Sequence, residues 1–168
     1  MNTTTAARFA AFYALLRLGA DLGDHWVQSD HQAVTKGHHD HIPGQTSAAG
    51  RRACAAHVTS YVATQAAVLL AGSKLLGLRL GPARVAAALA VSAATHYAAD
   101  RRLPLARLAK AVGKGNLYAM GTPAHPDHPV NAKGGYAPVL GTGAYALDQA
   151  FHHGWETLAA AIAAGGTR

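Results

Sequence analysis

The chain has 168 residues, half of them apolar and 7% aromatic, which is enough for one domain with its own core. Its formal net charge of +7 favours anionic partners (phosphates, nucleic acid, an acidic membrane surface), but no basic run exceeds a pair, so arginine and lysine read first as solvated surface. A single cysteine, Cys54, excludes an intramolecular disulfide framework and a cysteine-based zinc finger, and eleven histidines are the outlier.

The N-terminal stretch MNTTTAARFAAFYALLRLGADLGDHW has charges interrupting its apolar run and no small-residue cleavage site. It does not read as a signal peptide, and a cytoplasmic protein is expected. A first helix is predicted from about Ala6 to Gln28, extending toward Lys36. Phe9, Phe12, Leu16, Ala20, Asp24 and Val27 follow steps of three or four, which puts Asp24 on the core-facing strip. The segment KGHHDHIPGQTSAAG, Lys36 to Gly50, reads as a loop. Its His38, His39, Asp40 and His41 are a weak metal signal and read better as solvated loop.

A second helix is predicted from Arg51 to Leu76, ended by Gly77 and the Gly81-Pro82 pair. The window Cys54 to Leu80 is the best membrane candidate, yet a spanning helix needs about 20 mostly apolar residues. This one carries His57, Thr59, Ser60, Tyr61, Thr64, Gln65, Ser73 and Lys74, and its clean apolar run is only Ala66 to Gly72. A soluble bundle of close-packed Ala-rich helices is favoured, with a membrane-associated bundle as the alternative.

A third helix is predicted from Pro82 to Arg102, continuing to Val112 with a break at Pro104. From Gly113 to Gly143 glycine, proline and asparagine dominate, giving a long loop of about 30 residues without a clear period; long ordered loops of this kind are usually functional. The last helix is predicted from Thr142 or Ala144 to Ala164, stopped by Gly165-Gly166. The expected fold is therefore all-α: one domain over residues 1–168, a bundle of about four main helices with a long ordered loop at about 113–143.

Each predicted helix carries ligand-capable residues amid apolar ones. The first has Asp21, Asp24 and His25, the second His57, the third His96 and Asp100, the fourth Asp148 and His152. The last two pairs are four apart, so each aims an imidazole and a carboxylate from one helix face. A lone pair of this kind is most often an ordinary hydrogen-bonded or surface pair. Two pairs, a core histidine and an acid on an apolar strip form a stronger pattern, and helical bundles build metal sites in this way. Mixed imidazole and carboxylate donors suit zinc, iron or manganese, as one ion or as two about 3.5–4 Å apart.

The order of these residues resembles a bacterial and phage family catalogued as a domain of unknown function, DUF3307. The resemblance rests on Asp24 and Gln28 followed by Lys36, the lone His57, His96 with Asp100, and Asp148-Gln149 with His152. The stretch LGTGAYALDQ, Leu140 to Gln149, is similar to its actinobacterial and phage branch. The family implies no settled activity, and many of its members look more hydrophobic and membrane-embedded. Where relatives often carry a histidine one turn before the first aspartate, Ala20 stands here, with Asp21 a possible substitute. A looser analogy of geometry links His57, His96, Asp100 and Asp148 to helical phosphohydrolases of the HD type, although the adjacent His-Asp dipeptide is missing.

These residues predict a metal-dependent hydrolase of a phosphoester or nucleotide-like anion. His57, His96, Asp100, Asp148 and His152 would hold one or two divalent ions, with Asp24 completing the shell or acting as general base. Gln28, Lys36, Lys114, Asn116, His128 and Gln149 are the candidate substrate contacts, with the small anion received by basic side chains and glycine amides. One alternative is a non-enzymatic basic module binding nucleic acid or another anionic partner, its inward polar residues forming a buried network. The other is a small membrane-associated bundle.

Overall fold

Alanine and leucine run at helical spacing through most of the chain, and helices are the only regular elements among the residues the computed structural model describes, 5–120 and 142–165. Helix α1 spans Thr5–Leu22 and passes into a π-helical turn, Gly23–Val27. Helix α2 spans Asp30–Thr35, α3 Ser47–Leu76, α4 Pro82–Asp100, α5 Leu103–Ala111, α6 Gly115–Ala119 and α7 Gly143–Ala164. The all-α expectation holds.

The long helices α1, α3, α4 and α7 pack in a ring, each antiparallel to both neighbours. Against α3, Gly19 of α1 faces Gln65 and Gly23, opening the π-helical turn, faces Tyr61. A Cβ on Gly19 would stand 2.7 Å from the Gln65 Cα, so glycine there sets how closely the two backbones approach. Between α3 and α4, Ser92 Oγ donates to Gln65 Oε1 at 2.8 Å. Between α1 and α7, Arg17 donates to Glu156 at 3.0 Å and, at the other end, Arg8 Nε to the Ala164 carbonyl at 3.4 Å.

Three layers result. The N-terminal half of α1 meets the C-terminal halves of α3 and α7 in an apolar base of Phe12, Leu16, Leu69, Ala88, Ala159 and Ala163. A hydrogen-bonded middle layer follows: Gln65 Nε2 donates to the Leu16 carbonyl and to Tyr61 Oη, both at 3.3 Å, and Tyr61 donates to Glu156 at 3.0 Å. The opposite end holds the histidines and aspartates.

Several element bounds differ from the sequence-based expectation, each for a local reason. The single first helix toward Lys36 is broken. The Gln28 amide bonds the Gly23 carbonyl at 3.1 Å, five residues back, and Ser29 then caps α2 through a capping box with Gln32. That wide turn moves Val27 off the core strip to 47% exposure. Helix α3 starts at Ser47, not Arg51, because the Thr46 side chain accepts from the Ala49 amide. The break expected at Pro104 comes earlier, at Arg101 and Arg102, leaving Pro104 in the first turn of α5 where its missing N–H is harmless. Helix α6 forms inside the stretch read as unbroken loop.

Helix α3 is, among the described residues, the one long and apolar enough to cross a membrane, with mean hydropathy 1.3 over its best window. Its buried face carries His57, Tyr61, Gln65 and Ser73, turned to the other helices.

Candidate metal centre

Four side chains from three segments meet at the polar end. HYAAD closes α4, so His96 and Asp100 stand one turn apart on its inward face. His57 reaches them from α3, and the π-helical turn brings in Asp24. His57 Nε2 lies 2.9 Å from His96 Nε2, 3.1 Å from Asp24 Oδ1 and 3.2 Å from Asp100 Oδ2. His96 Nε2 lies 3.3 Å from Asp24 Oδ1 and 3.1 Å from Asp100 Oδ2. His57 and His96 are 0% and 1% exposed.

These separations have a physical reading. One N–H points at one acceptor, with strong preference for a near-linear bond. Here each Nε2 has several acceptors at similar distance, and Asp100 Oδ2 is met by neither imidazole in hydrogen-bond geometry. Around a metal with bonds of about 2.1 Å, ligand atoms sit about 3.0 Å apart in an octahedron and about 3.4 Å apart in a tetrahedron. The observed separations lie in or just below that interval. Both Nδ1 atoms, of His57 and His96, are buried without a protein partner.

Helix α7 adds a second set. Asp100, Asp148 and His152 each offer a ligand atom within 4.8 Å of the others, and so do Asp24, His96 and His152. His152 Nδ1 donates to the Asp148 carbonyl at 2.7 Å, which leaves its buried, unpartnered Nε2 with the lone pair. The His152 ring meets that of His96 edge-on, with centroids 4.4 Å apart. These His/Asp groups could hold a metal ion within a helical protein.

Burial opposes charge on Asp24 and Asp100, but the imidazoles of His57 and His96 outweigh it and hold both carboxyls below their usual range. Burial likewise lowers His96, while Asp100 and Asp24 raise it further, to about 9. Asp148 is pushed up by burial and by Asp100, against the pull of His152. Glu156 is pushed up by burial in spite of Arg17.

The remaining expected residues distribute as follows. Lys36 Nζ pairs with Asp100 Oδ1 at 2.9 Å. Arg101, buried behind it, holds the Lys36 and His38 carbonyls and so fixes the chain after α2. Gln28 is half-buried, with Nε2 buried and unpartnered; Gln149 is also half-buried. Lys114 and Asn116 are exposed at α6, and Lys114 borders an apolar depression with Leu105, Val112 and Phe151. Asp21 pairs with Arg17 at 2.5 Å, and His25 bonds the Asp21 carbonyl in the open. His39 binds the Arg101 carbonyl at 2.8 Å, and Asp40 exchanges bonds with Ser47. His128 and the long-loop expectation from Gly121 to Gly141 lie outside the described residues.

Two residues beside the centre were not singled out from the sequence. Tyr61 stacks on His96 with centroids 3.8 Å apart, and Glu156 is 2% exposed beneath Tyr61. Asp148, His152 and Glu156 follow steps of four, a readable signal; Tyr61 reads only as core aromatic. Comparison with protein-family models, curated proteins and solved structures finds no match to this chain.

Proposed function

We propose that this chain is a metal-dependent hydrolase of an anionic ester, a phosphoester or nucleotide-like substrate. The supporting observation is that the Nε2 atoms of His57 and His96 lie 2.9 Å apart and each within 3.1–3.3 Å of one oxygen of Asp24 and one of Asp100, brought together from a π-helical turn and two helices. Zinc, manganese and iron all accept this donor set. Bound there, a divalent ion supplies Lewis acidity, acidifying water toward neutral pH and offsetting charge on an ester oxygen.

The side chains divide the remaining work. Asp24, 18% exposed and thus the most open member of the four, ligates or takes a proton at Oδ1. Gln28 offers an unpartnered Nε2–H to a substrate oxygen. Tyr61, stacked on His96 and tied to Glu156, fixes the ring plane. We place the protein in the cytoplasm, and we keep the DUF3307 relationship as part of the proposal.

A second reading is favoured by one observation, the Lys36–Asp100 pair at 2.9 Å, which balances charge without an ion. On it the cluster is a buried network fixing helix register in a basic, anion-binding module.

Elemental analysis separates the two, on protein purified without a His-tag, for wild type and His96→Ala. Stoichiometric metal in wild type that is lost in the variant, with helicity retained, supports the hydrolase and leads to assays on aryl phosphate mono- and diesters. A wild type that takes up no zinc, manganese or iron on reconstitution sinks it in favour of the network.

A further inference from the structure

Asp100 presents its two oxygens to two different neighbourhoods. Oδ2 faces the Nε2 atoms of His57 and His96, and Oδ1 carries the Lys36 ammonium at 2.9 Å. Asp100 also belongs to the separate set with Asp148 and His152. His152 is 5% exposed, and its Nδ1–H is spent on a backbone carbonyl. That bond fixes the tautomer with the lone pair on Nε2, the arrangement by which proteins orient metal-ligating histidines. The lone pair is buried and meets no protein donor.

We propose that a second divalent ion binds between Asp100, Asp148 and His152, with Asp100 bridging it to the first, and that Lys36 holds its place until it arrives. The proposal rests on the metal reading above. Charge gives the order of events. Asp24, Asp100 and Asp148 supply three negative charges and Lys36 one positive, so one divalent ion leaves the cluster neutral. A second ion makes it doubly positive, a state that attracts a phosphate ester. It also competes with the ammonium for Asp100 Oδ1. Once displaced, Lys36 keeps its tether beside the centre, and its charge turns to the substrate anion. The ammonium is therefore a counter-ion in the metal-poor state and an anion ligand in the loaded one.

Calorimetric titration of the full chain with manganese tests this, read as equivalents bound and not as activity. Wild type takes up two equivalents. His152→Ala keeps only the tighter one, and so does Asp148→Asn, at a position open enough to tolerate the change. Lys36→Met keeps two, and the weaker equivalent tightens roughly tenfold because a like charge has left its ligand. The same variant binds inorganic phosphate more weakly when loaded. One equivalent in wild type, unchanged by His152→Ala and Asp148→Asn, overturns the second ion while leaving the first in place. A weaker equivalent that Lys36→Met leaves unchanged or weakens overturns the placeholder role. No binding in any of these proteins overturns the metal reading beneath as well.

Discussion

Helix α7 contributes Ala159, Ala160 and Ala163, none more than 1% exposed, to one end of the bundle, and Asp148 and His152 to the other. Helix α3 does the same in reverse order, with His57 near its start and Leu69 near its end, both 0% exposed. The apolar end needs only contact: small side chains pack closely and lose nothing to water. The polar end needs partners, because each buried imidazole or carboxylate costs several kcal/mol when left alone. Stability at the base is therefore unconditional, while stability at the His/Asp end depends on what is bound and on pH.

The largest expected effect falls at the base. Leu16→Ala removes a fully buried side chain and should destabilise the protein by about 2–5 kcal/mol, in chemical denaturation, with or without chelator. The corresponding break at the other end, His96→Ala, should erase the difference that chelator makes to the melting temperature of the wild type. A Leu16→Ala penalty that changes with chelator would show that the two ends do not act separately.

The pH dependence of the metal-free protein sharpens the same contrast. His96 is raised from 6.5 to about 9 in the fold. Its contribution is thus complete below about pH 6.5 and is lost as pH rises through about 9. Asp24 and Asp100 are lowered from 3.8, so their contribution is present above that value and is lost as pH falls below it. Glu156 and Asp148, raised by burial, work in the same sense as His96. Metal-free protein should melt highest in mildly acidic buffer. Added metal should stabilise most on the alkaline side, because imidazoles ligate only when deprotonated. Melting curves across pH in chelator and in metal check this, and His96→Ala should flatten the alkaline arm.

How much of this was legible in the sequence follows from what helical spacing can report. His96 with Asp100, and Asp148 with His152, stand out because two polar residues four apart interrupt alanine-rich helices. His57 and Asp24 stand out as polar residues on apolar strips. The π-helical turn at Gly23–Val27 leaves no periodic trace, since it adds one residue to a single turn. Helix α6 is too short for a period to be measured. The Lys36–Asp100 pair was hidden because it joins positions 64 residues apart across a break that the spacing had carried the helix through. Glu156 continues the Asp148–His152 spacing by one more step of four, but its partners Arg17 and Tyr61 lie on other helices and leave no local trace.

The smallest expected effect concerns how Lys36 is delivered. Helix α2 has only six residues, too few to persist without its cap and its packing on α3. The Ser29 side chain accepts from the Gln32 amide at 3.2 Å, and Gln32 returns a bond to the Ser29 amide at 3.0 Å. Ser29→Ala removes the first of these, a loss of about 1 kcal/mol at a typical N-cap. Because Ser29 is exposed and the base does not touch it, the loss should appear as faster amide exchange over Ala33 to Lys36, with little change in global unfolding. A full 1 kcal/mol in global stability would mean instead that α2 unfolds only together with the bundle. In that case Lys36 could not leave Asp100 by local motion of α2, and its side chain alone would have to make the move.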